Sequence, residues 1–285
     1  MKIAILGTGN MGSGLTEGFI NAGQETIVYD ITPAKTEALV ALGAKAAKSA
    51  AEAILSADVT IIVVPDGNAI RTVLLNDETK AALKGKKILN AGTTTPIEIE
   101  TFEKEVAEAG GSLSEISMLV GADQLRNREG SFLLASTDEN NSFWTEVLNH
   151  IAVSVVFVGQ VGNASKAEAP MLFGSMFINA IVAYSAAVAH KLNIPHELIA
   201  QQVAMFTSGG DYLLPSMFAR DYSHVMASTD NFKSVSETAI STAKSLGMPV
   251  KSLEGVLELF DEAVKRGYGA QDGSSIVEVL LNSNK

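Results

Sequence analysis

The chain has 285 residues, 47% of them hydrophobic and 19% charged, with a formal net charge of −11. That length and balance describe a folded protein with a sizeable core, more readily two domains than one. The acidic surplus argues against nucleic acid and anionic membranes as partners, and the absence of cysteine removes disulfides, thiolate chemistry and cysteine-built zinc sites. Few apolar residues precede Gly7, which does not read as a signal peptide, so a cytoplasmic location is the expectation.

The first element is a short buried strand over 2–6, and it runs directly into Gly7-Thr8-Gly9-Asn10-Met11-Gly12. A helix over 10–22 follows, with Met11, Leu15, Phe19 and Ala22 at helical spacing and Gly23 at its end. The next strand, 26–30, closes on Asp30. Strand, glycine turn, helix, strand and terminal acid together form the dinucleotide fingerprint, of which the glycines alone would be weak evidence. Gly7 permits the tight turn, Gly9 the approach of a pyrophosphate, and Gly12 close packing of helix on strand. The helix N-terminus then offers unpaired N–H groups to phosphate.

Asp30 is the cofactor discriminator. A carboxylate there accepts the ribose hydroxyls of NAD and repels a 2′-phosphate. Ile31 stands where an arginine would suit NADP, while Lys35 lies close enough to greet a phosphate. NAD(H) is therefore favoured and NADP(H) stays possible. The plainer reading of Asp30 is a solvated acid at a strand end.

Strands over 59–64, 87–90, 112–117, 131–136 and 154–158 alternate with helices over 33–42, 50–55, 67–76, 79–84, 96–109 and 140–150. Such alternation predicts an α/β fold with a doubly wound parallel sheet. Ligands in such sheets bind at the carboxyl ends of strands. That places Val64-Pro65-Asp66 and Thr93 at the cofactor, while Thr94 or Thr95 could instead cap a helix with Pro96 at its first position. Trp144 is expected to pack its helix onto the sheet.

After Gly162 the pattern is helical: about 164–192, 196–206, 210–218, 229–247, 250–265 and 272–281. The expected division is a dinucleotide-binding Rossmann domain over 1–160 and an all-α substrate and dimerisation domain over 163–285, beginning with a long interdomain helix. That helix, about 28 residues, would span on the order of 40 Å. Its run from Met171 to Ala189 is almost wholly apolar. Interrupting polar and small residues favour burial between domains or subunits over a membrane span, which suggests a homodimer.

Glu168 is the candidate catalytic group, near the start of this helix beside an apolar stretch. Pro170 fits a first helical turn, and on that reading Glu168 could simply complement the helix dipole. Tyr222 is a candidate phenolic donor, with a packing tyrosine as its alternative. The four histidines show no ligand spacing, so no metal is expected. Hydrolase and P-loop motifs are absent.

At this point the chain resembles the 6-phosphogluconate/β-hydroxyacid dehydrogenase superfamily, and within it the imine reductase branch. The resemblance covers nearly the whole chain. It rests on Gly7, Gly9, Met11 and Gly12, on Thr32-Pro33, on Gly159 and Gly162 before the long helix, and on the stretch from Gly267 to Asp272 followed by Ile276 to Leu280. Dehydrogenases of the superfamily carry a catalytic lysine where this chain has Glu168, and imine reductases carry Asp or Tyr. Asn90 to Pro96 is similar to an imine reductase stretch, and Arg220-Asp221-Tyr222 resembles their Gly-Asp-Tyr. The Ser-Gly-Gly loop of the acid dehydrogenases is replaced by Ser117 to Gly121. The resemblance implies a nicotinamide-dependent reductase of C=N bonds acting on a small imine or carbonyl compound, as a homodimer with interlocked helical domains. Imine reductases usually take NADPH, against the NADH favoured by Asp30. A hydroxyacid dehydrogenase or a non-catalytic dinucleotide sensor are the alternatives. The chemistry agrees with the branch: a lysine would repel a cationic iminium, and a carboxylate in a low-dielectric cleft attracts one.

Overall fold

The structure is a computed structural model and describes residues 1–195, 198 and 210–282. It falls into two compact units, Met1–Phe173 and Gly174–Lys285.

The first unit is built on an eight-stranded sheet: β1 (Lys2–Leu6), β2 (Glu25–Tyr29), β3 (Lys45–Ala46), β4 (Val59–Ile62), β5 (Lys87–Asn90), β6 (Ser112–Met118), β7 (Gly130–Ala135) and β8 (Ala152–Phe157). Their spatial order is β3-β2-β1-β4-β5-β6-β7-β8. β1 pairs in parallel with β2 on one side and β4 on the other, so the chain reverses its winding there. The crevice at the carboxyl ends of β1 and β4 is where an open sheet of this kind takes a ligand. The sequence pattern predicts a parallel sheet, and the observed sheet departs from it at one edge: β7 runs antiparallel to β6, and β8 pairs in parallel with β7. The connection from Met118 to Gly130 is shorter than the dozen or so residues a parallel crossover needs.

Alternate side chains of β1 enter two different cores. Ala4 and Leu6 join Ile54, Ile62, Phe102 and Val106 on one face; Ile3 and Ile5 join Leu15, Phe19, Ile61 and Trp144 on the other. Both faces are covered by helices, which is why the strands read as continuous apolar runs. One face carries α1 (Asn10–Asn21) and the short α2 (Glu37–Ala41). The other elements of the unit are α3 (Ala50–Ser56), α4 (Gly67–Leu74), α5 (Asp77–Ala82), α6 (Pro96–Glu108), α7 (Ala122–Arg126) and α8 (Asp138–Leu148). The sequence pattern shows neither β3 nor α7. A Cβ on Gly18 would lie 2.4 Å from the Leu125 oxygen, and one on Gly14 2.8 Å from the Ala122 oxygen. Glycines one turn apart on α1 therefore let α7 lie against it backbone to backbone.

The long helix α9 runs from Asn163 to Lys191. The expected division at 160 falls at the end of the last strand, whereas the two compact units meet between Phe173 and Gly174, inside α9. Pro170 is interior to this helix, not in its first turn, so the carbonyl of Lys166 loses its helical donor. Among the described residues no helix is long and apolar enough to cross a membrane.

The second unit continues with α10 (Gly210–Ala219), α11 (Thr229–Ser245), α12 (Lys251–Ala263) and α13 (Val277–Leu281). The predicted helix over 196–206 lies outside the described residues. Phe232 and Phe260 stack at 5.7 Å between α11 and α12. After α12, Gly267 (φ +93°) turns the chain, and Asp272 accepts from the N–H groups of Ser274 and Met226.

Candidate active site

Gly7 has φ +97°, and a Cβ on it would lie 2.2 Å from the Val63 oxygen. A Cβ on Gly12 would lie 1.9 Å from the Gly7 oxygen. Side chains are thus excluded at both positions by the fold itself. Gly9 differs, because nothing lies within 4 Å of a Cβ placed there. Its bareness faces open space, as a backbone approached by a ligand does. Gly9 is also the N-cap of α1, which has no side-chain cap and no acid in its first turn. Its leading N–H groups are left for an anion.

A cleft of about 300 Å³ opens before this turn, lined by Gly9 to Gly12, Val64, Pro65, Thr93 and Met118. A second recess of about 230 Å³ lies on the other side of Gly9, bounded by Tyr29, Asp30, Ile31, Lys35, Val64 and Pro65. The three threonines after β5 divide their tasks. Thr93 lines the cleft, Thr94 is buried with its hydroxyl 3.4 Å from that of Ser165, and Thr95 caps α6 in a reciprocal box with Glu98. Asp66, expected at the cofactor, caps α4 by accepting from the Ala69 N–H at 2.9 Å and borders neither recess.

Asp30 is nearly buried. Its Oδ2 accepts from the N–H and hydroxyl of Thr8, at 2.8 and 3.1 Å, and its Oδ1 from the Thr32 N–H at 2.8 Å. It is therefore a brace for the glycine turn as well as an acid at the recess, with lone-pair capacity for one further donor. Thr8 serves the turn through this bond. Ile31 is 74% exposed.

Glu168 is half-buried in the second turn of α9. No acidic residue lies in that helix's first turn, so the dipole effect, which fades beyond one turn, is a weak account of it. Burial pushes its carboxyl above the usual range, the nearby Glu115 adds to the rise, and the Ser117 hydroxyl offsets part of it. That hydroxyl is buried and has no partner at hydrogen-bond length. Lys166, two residues earlier in the helix, is paired with Glu100 at 2.9 Å. Met171, which opens the apolar run after Glu168, is itself exposed. Ser117 adjoins Met118, and Thr94 adjoins Thr93; both neighbours line the cleft.

Tyr222 belongs to the second unit. Its hydroxyl donates to Glu278 at 2.6 Å, and Arg220 donates to the same carboxylate at 2.8 Å. Burial and Glu278 push the phenol up to about 12. The expected role as a donor to substrate is not supported: its proton is committed to Glu278. Among the described residues no group of His, Asp and Glu could hold a metal.

The sequence pattern of the NAD binding domain of 6-phosphogluconate dehydrogenase matches residues 2–159. The chain belongs to this family. Along its length it is 24% identical to 2-hydroxy-3-oxopropionate reductase of Escherichia coli (strain K12), over 98% of this chain and 97% of that one. It superposes on an imine reductase from Myxococcus stipitatus in complex with NADP+ at a TM-score of 0.88, with 21% identity, over 98% of this chain and 100% of that one. A V8 variant of that enzyme in complex with NAD+ gives 0.80, with 20% identity, over 98% and 99%. The structural likeness at that identity is one of fold.

Within this 6-phosphogluconate dehydrogenase-type domain the residues fit a nicotinamide dinucleotide: open space at Gly9, an uncapped α1 and an acid beside the recess. Sequence reading passes over Glu115 and names Ser117 only as the start of a replaced loop. The signal was present, since a glutamate in the middle of Leu113-Ser114-Glu115-Ile116 breaks an otherwise buried strand.

Proposed function

We propose that the protein is an NADH-dependent reductase of C=N bonds, converting an imine to an amine with Glu168 as its acid. The observation that carries the reading is the half-buried Glu168 carboxyl, with its proton affinity raised, on the unit that holds the dinucleotide cleft. A raised pKa suits an acid working near neutral pH. Protonated Glu168 gives its proton to the imine nitrogen, and the carboxylate left behind stays against the iminium, which it stabilises in a site of low dielectric. Bound nicotinamide supplies the hydride to the iminium carbon. The balance is imine, NADH and one proton to amine and NAD+. Asp30 supports NADH over NADPH by repelling a 2′-phosphate. Tyr222 serves as a structural member of the second unit.

The exposed apolar residues of α9 support a homodimer. Phe177, Ile178 and Ile181 are 49%, 44% and 45% exposed, and a second copy would cover them. A monomer by light scattering at micromolar concentration would remove this part. A cytoplasmic, non-membrane setting accords with the acidic charge.

The test is NADH oxidation with a panel of cyclic imines against a panel of keto acids, in the wild type and in Glu168→Gln. Imine turnover should fall by about 10²-fold or more in the variant, the usual scale for a proton-transfer residue, with NADH affinity unchanged. Undiminished turnover would make Glu168 a bystander. The variant also tests the dipole alternative through stability. A raised folded-state pKa means that the fold favours the protonated form, and ionised Glu168 costs stability as pH rises above its ordinary value. Glu168→Gln should therefore be more stable than wild type at neutral pH, whereas a dipole-complementing acid would be missed. A second reading, carbonyl reduction to a hydroxy acid, is favoured by the full-length relationship to 2-hydroxy-3-oxopropionate reductase. Turnover of keto acids alone would select it. Tight NADH binding with turnover of neither panel would leave a sensor.

A further inference from the structure

Glu115 stands on β6 and is 1% exposed. Its Oε1 accepts from the backbone N–H groups of Gly162 at 2.6 Å, Ala164 at 3.0 Å and Ser165 at 3.4 Å. Its Oε2 accepts from the Ser165 hydroxyl at 2.5 Å. The group thus caps α9 from another element, and both oxygens act only as acceptors, as an ionised carboxylate does. A buried carboxylate so satisfied is held in position. Two residues on, and on the same face of β6, Ser117 keeps its unpartnered hydroxyl beside Glu168.

From this arrangement we propose that Glu115 is the positioning residue of Glu168, fixing the first turn of the helix that carries it and setting a second negative charge behind it. The proposal deepens the imine reductase reading and rests on it for its catalytic meaning. The like charge of Glu115 adds to the effect of burial in keeping Glu168 protonated to higher pH. The same charge reaches Glu103 on α6, whose carboxyl is pushed up by burial first, then by Glu100 and Glu115. The other charged groups that act here are Lys104 on α6, which opposes the rise at Glu103, and Lys166 on α9 with Glu100 on α6, which are paired with each other. Without the charge of Glu115, a carboxyl in the same place would ionise at lower pH.

The test reads the protonation of Glu168 directly. The apo protein is labelled with ¹³C at glutamate side-chain carboxyls, and the Glu168 signal is identified by its loss in Glu168→Gln. Its titration midpoint is followed in wild type and in Glu115→Gln, which keeps an acceptor for the α9 N–H groups and removes the charge. The midpoint should fall by about half a unit to one unit in the variant, the order expected for one like charge a few ångströms away. The pH at which imine reduction declines on the alkaline side should fall with it. Glu115→Met, a neutral chain of the same length, is the second variant should the glutamine amide disturb the turn. An unchanged midpoint in a folded neutral variant overturns the proposal and leaves Glu115 as a helix cap. A midpoint that falls in a protein without imine turnover upholds the coupling and overturns the reaction reading instead.

Discussion

Two helix N-termini in the first unit receive opposite treatment. α1 begins at Gly9 with no side-chain cap and no acid in its first turn, and the space before it is open. α9 begins on a buried carboxylate from a neighbouring strand, which meets three of its N–H groups and a hydroxyl. Both ends carry the same unpaired donors and the same partial positive charge. One is kept for an anion from outside, and the other is neutralised by the chain. An end closed by its own carboxylate is architecture. An end left bare, behind glycines the fold cannot replace, is a place for a ligand.

The sharpest break in this comparison is at the glycines. Gly12→Ala forces a methyl to within 1.9 Å of the Gly7 oxygen, so the turn must move. Overpacking of this kind costs about 3 kcal/mol, and NADH affinity should fall by more than ~10²-fold, about 2.7 kcal/mol of binding. Gly9→Ala adds its methyl to open space. It should leave the melting temperature within a few degrees of wild type and weaken NADH by ~10-fold. Thermal melts beside cofactor titrations decide the matter. Equal stability losses in the two variants would mean that Gly9 is structural as well, and the bare end of α1 would lose its special status.

A smaller effect is expected at Asp30. Asp30→Asn removes the charge and keeps an acceptor for the Thr8 and Thr32 donors. The ratio of the NADPH to the NADH dissociation constant should fall by about 10-fold, the worth of one charge contact of ~1.4 kcal/mol. A ratio of dissociation constants that does not move would show that Asp30 only braces the glycine turn, making it the counterpart of Glu115 rather than of Gly9.

The smallest effect concerns the second unit. Hydrogen bonds from Arg220 and Tyr222 hold the buried Glu278 carboxyl down at about 2. A depressed folded-state pKa gives stability that is present above the ordinary value of 4.5 and lost as pH falls toward 2. Tyr222→Phe deletes one of these donors and should cost about 1–2 kcal/mol at neutral pH. The melting-temperature gap between wild type and Tyr222→Phe should narrow between pH 4.5 and 2, with imine turnover at neutral pH unaffected. A collapse of turnover without loss of stability would return Tyr222 to the reacting centre.

The dinucleotide half of the site was legible because its signals are local. Gly7, Gly9, Gly12 and Asp30 fall within one strand–turn–helix–strand unit, where spacing alone fixes their neighbours. Glu168 was legible only as a charge at an informative position. Burial raises its proton affinity first, and the charge that adds to the rise, Glu115, comes from β6, about fifty residues earlier in the chain, with no short-range pattern connecting them. Lys166, two residues before Glu168, points away from it, as such neighbours on a helix do, and meets Glu100. The partner of Tyr222 was hidden for the same reason: Glu278 lies 56 positions away.

The sequence by itself determined the class of fold, the alternation of strands and helices, the glycine turn and the helical character of the described elements after Gly162. These follow from periodicity and backbone permissiveness, which act over a few residues. Tertiary structure alone decided the reversed direction of β7 and β8, the interior position of Pro170, the brace between Asp30 and Thr8, and the carboxylate behind Glu168. Each depends on which distant groups are brought within a few ångströms of one another, and desolvation and charge act through that distance rather than along the chain.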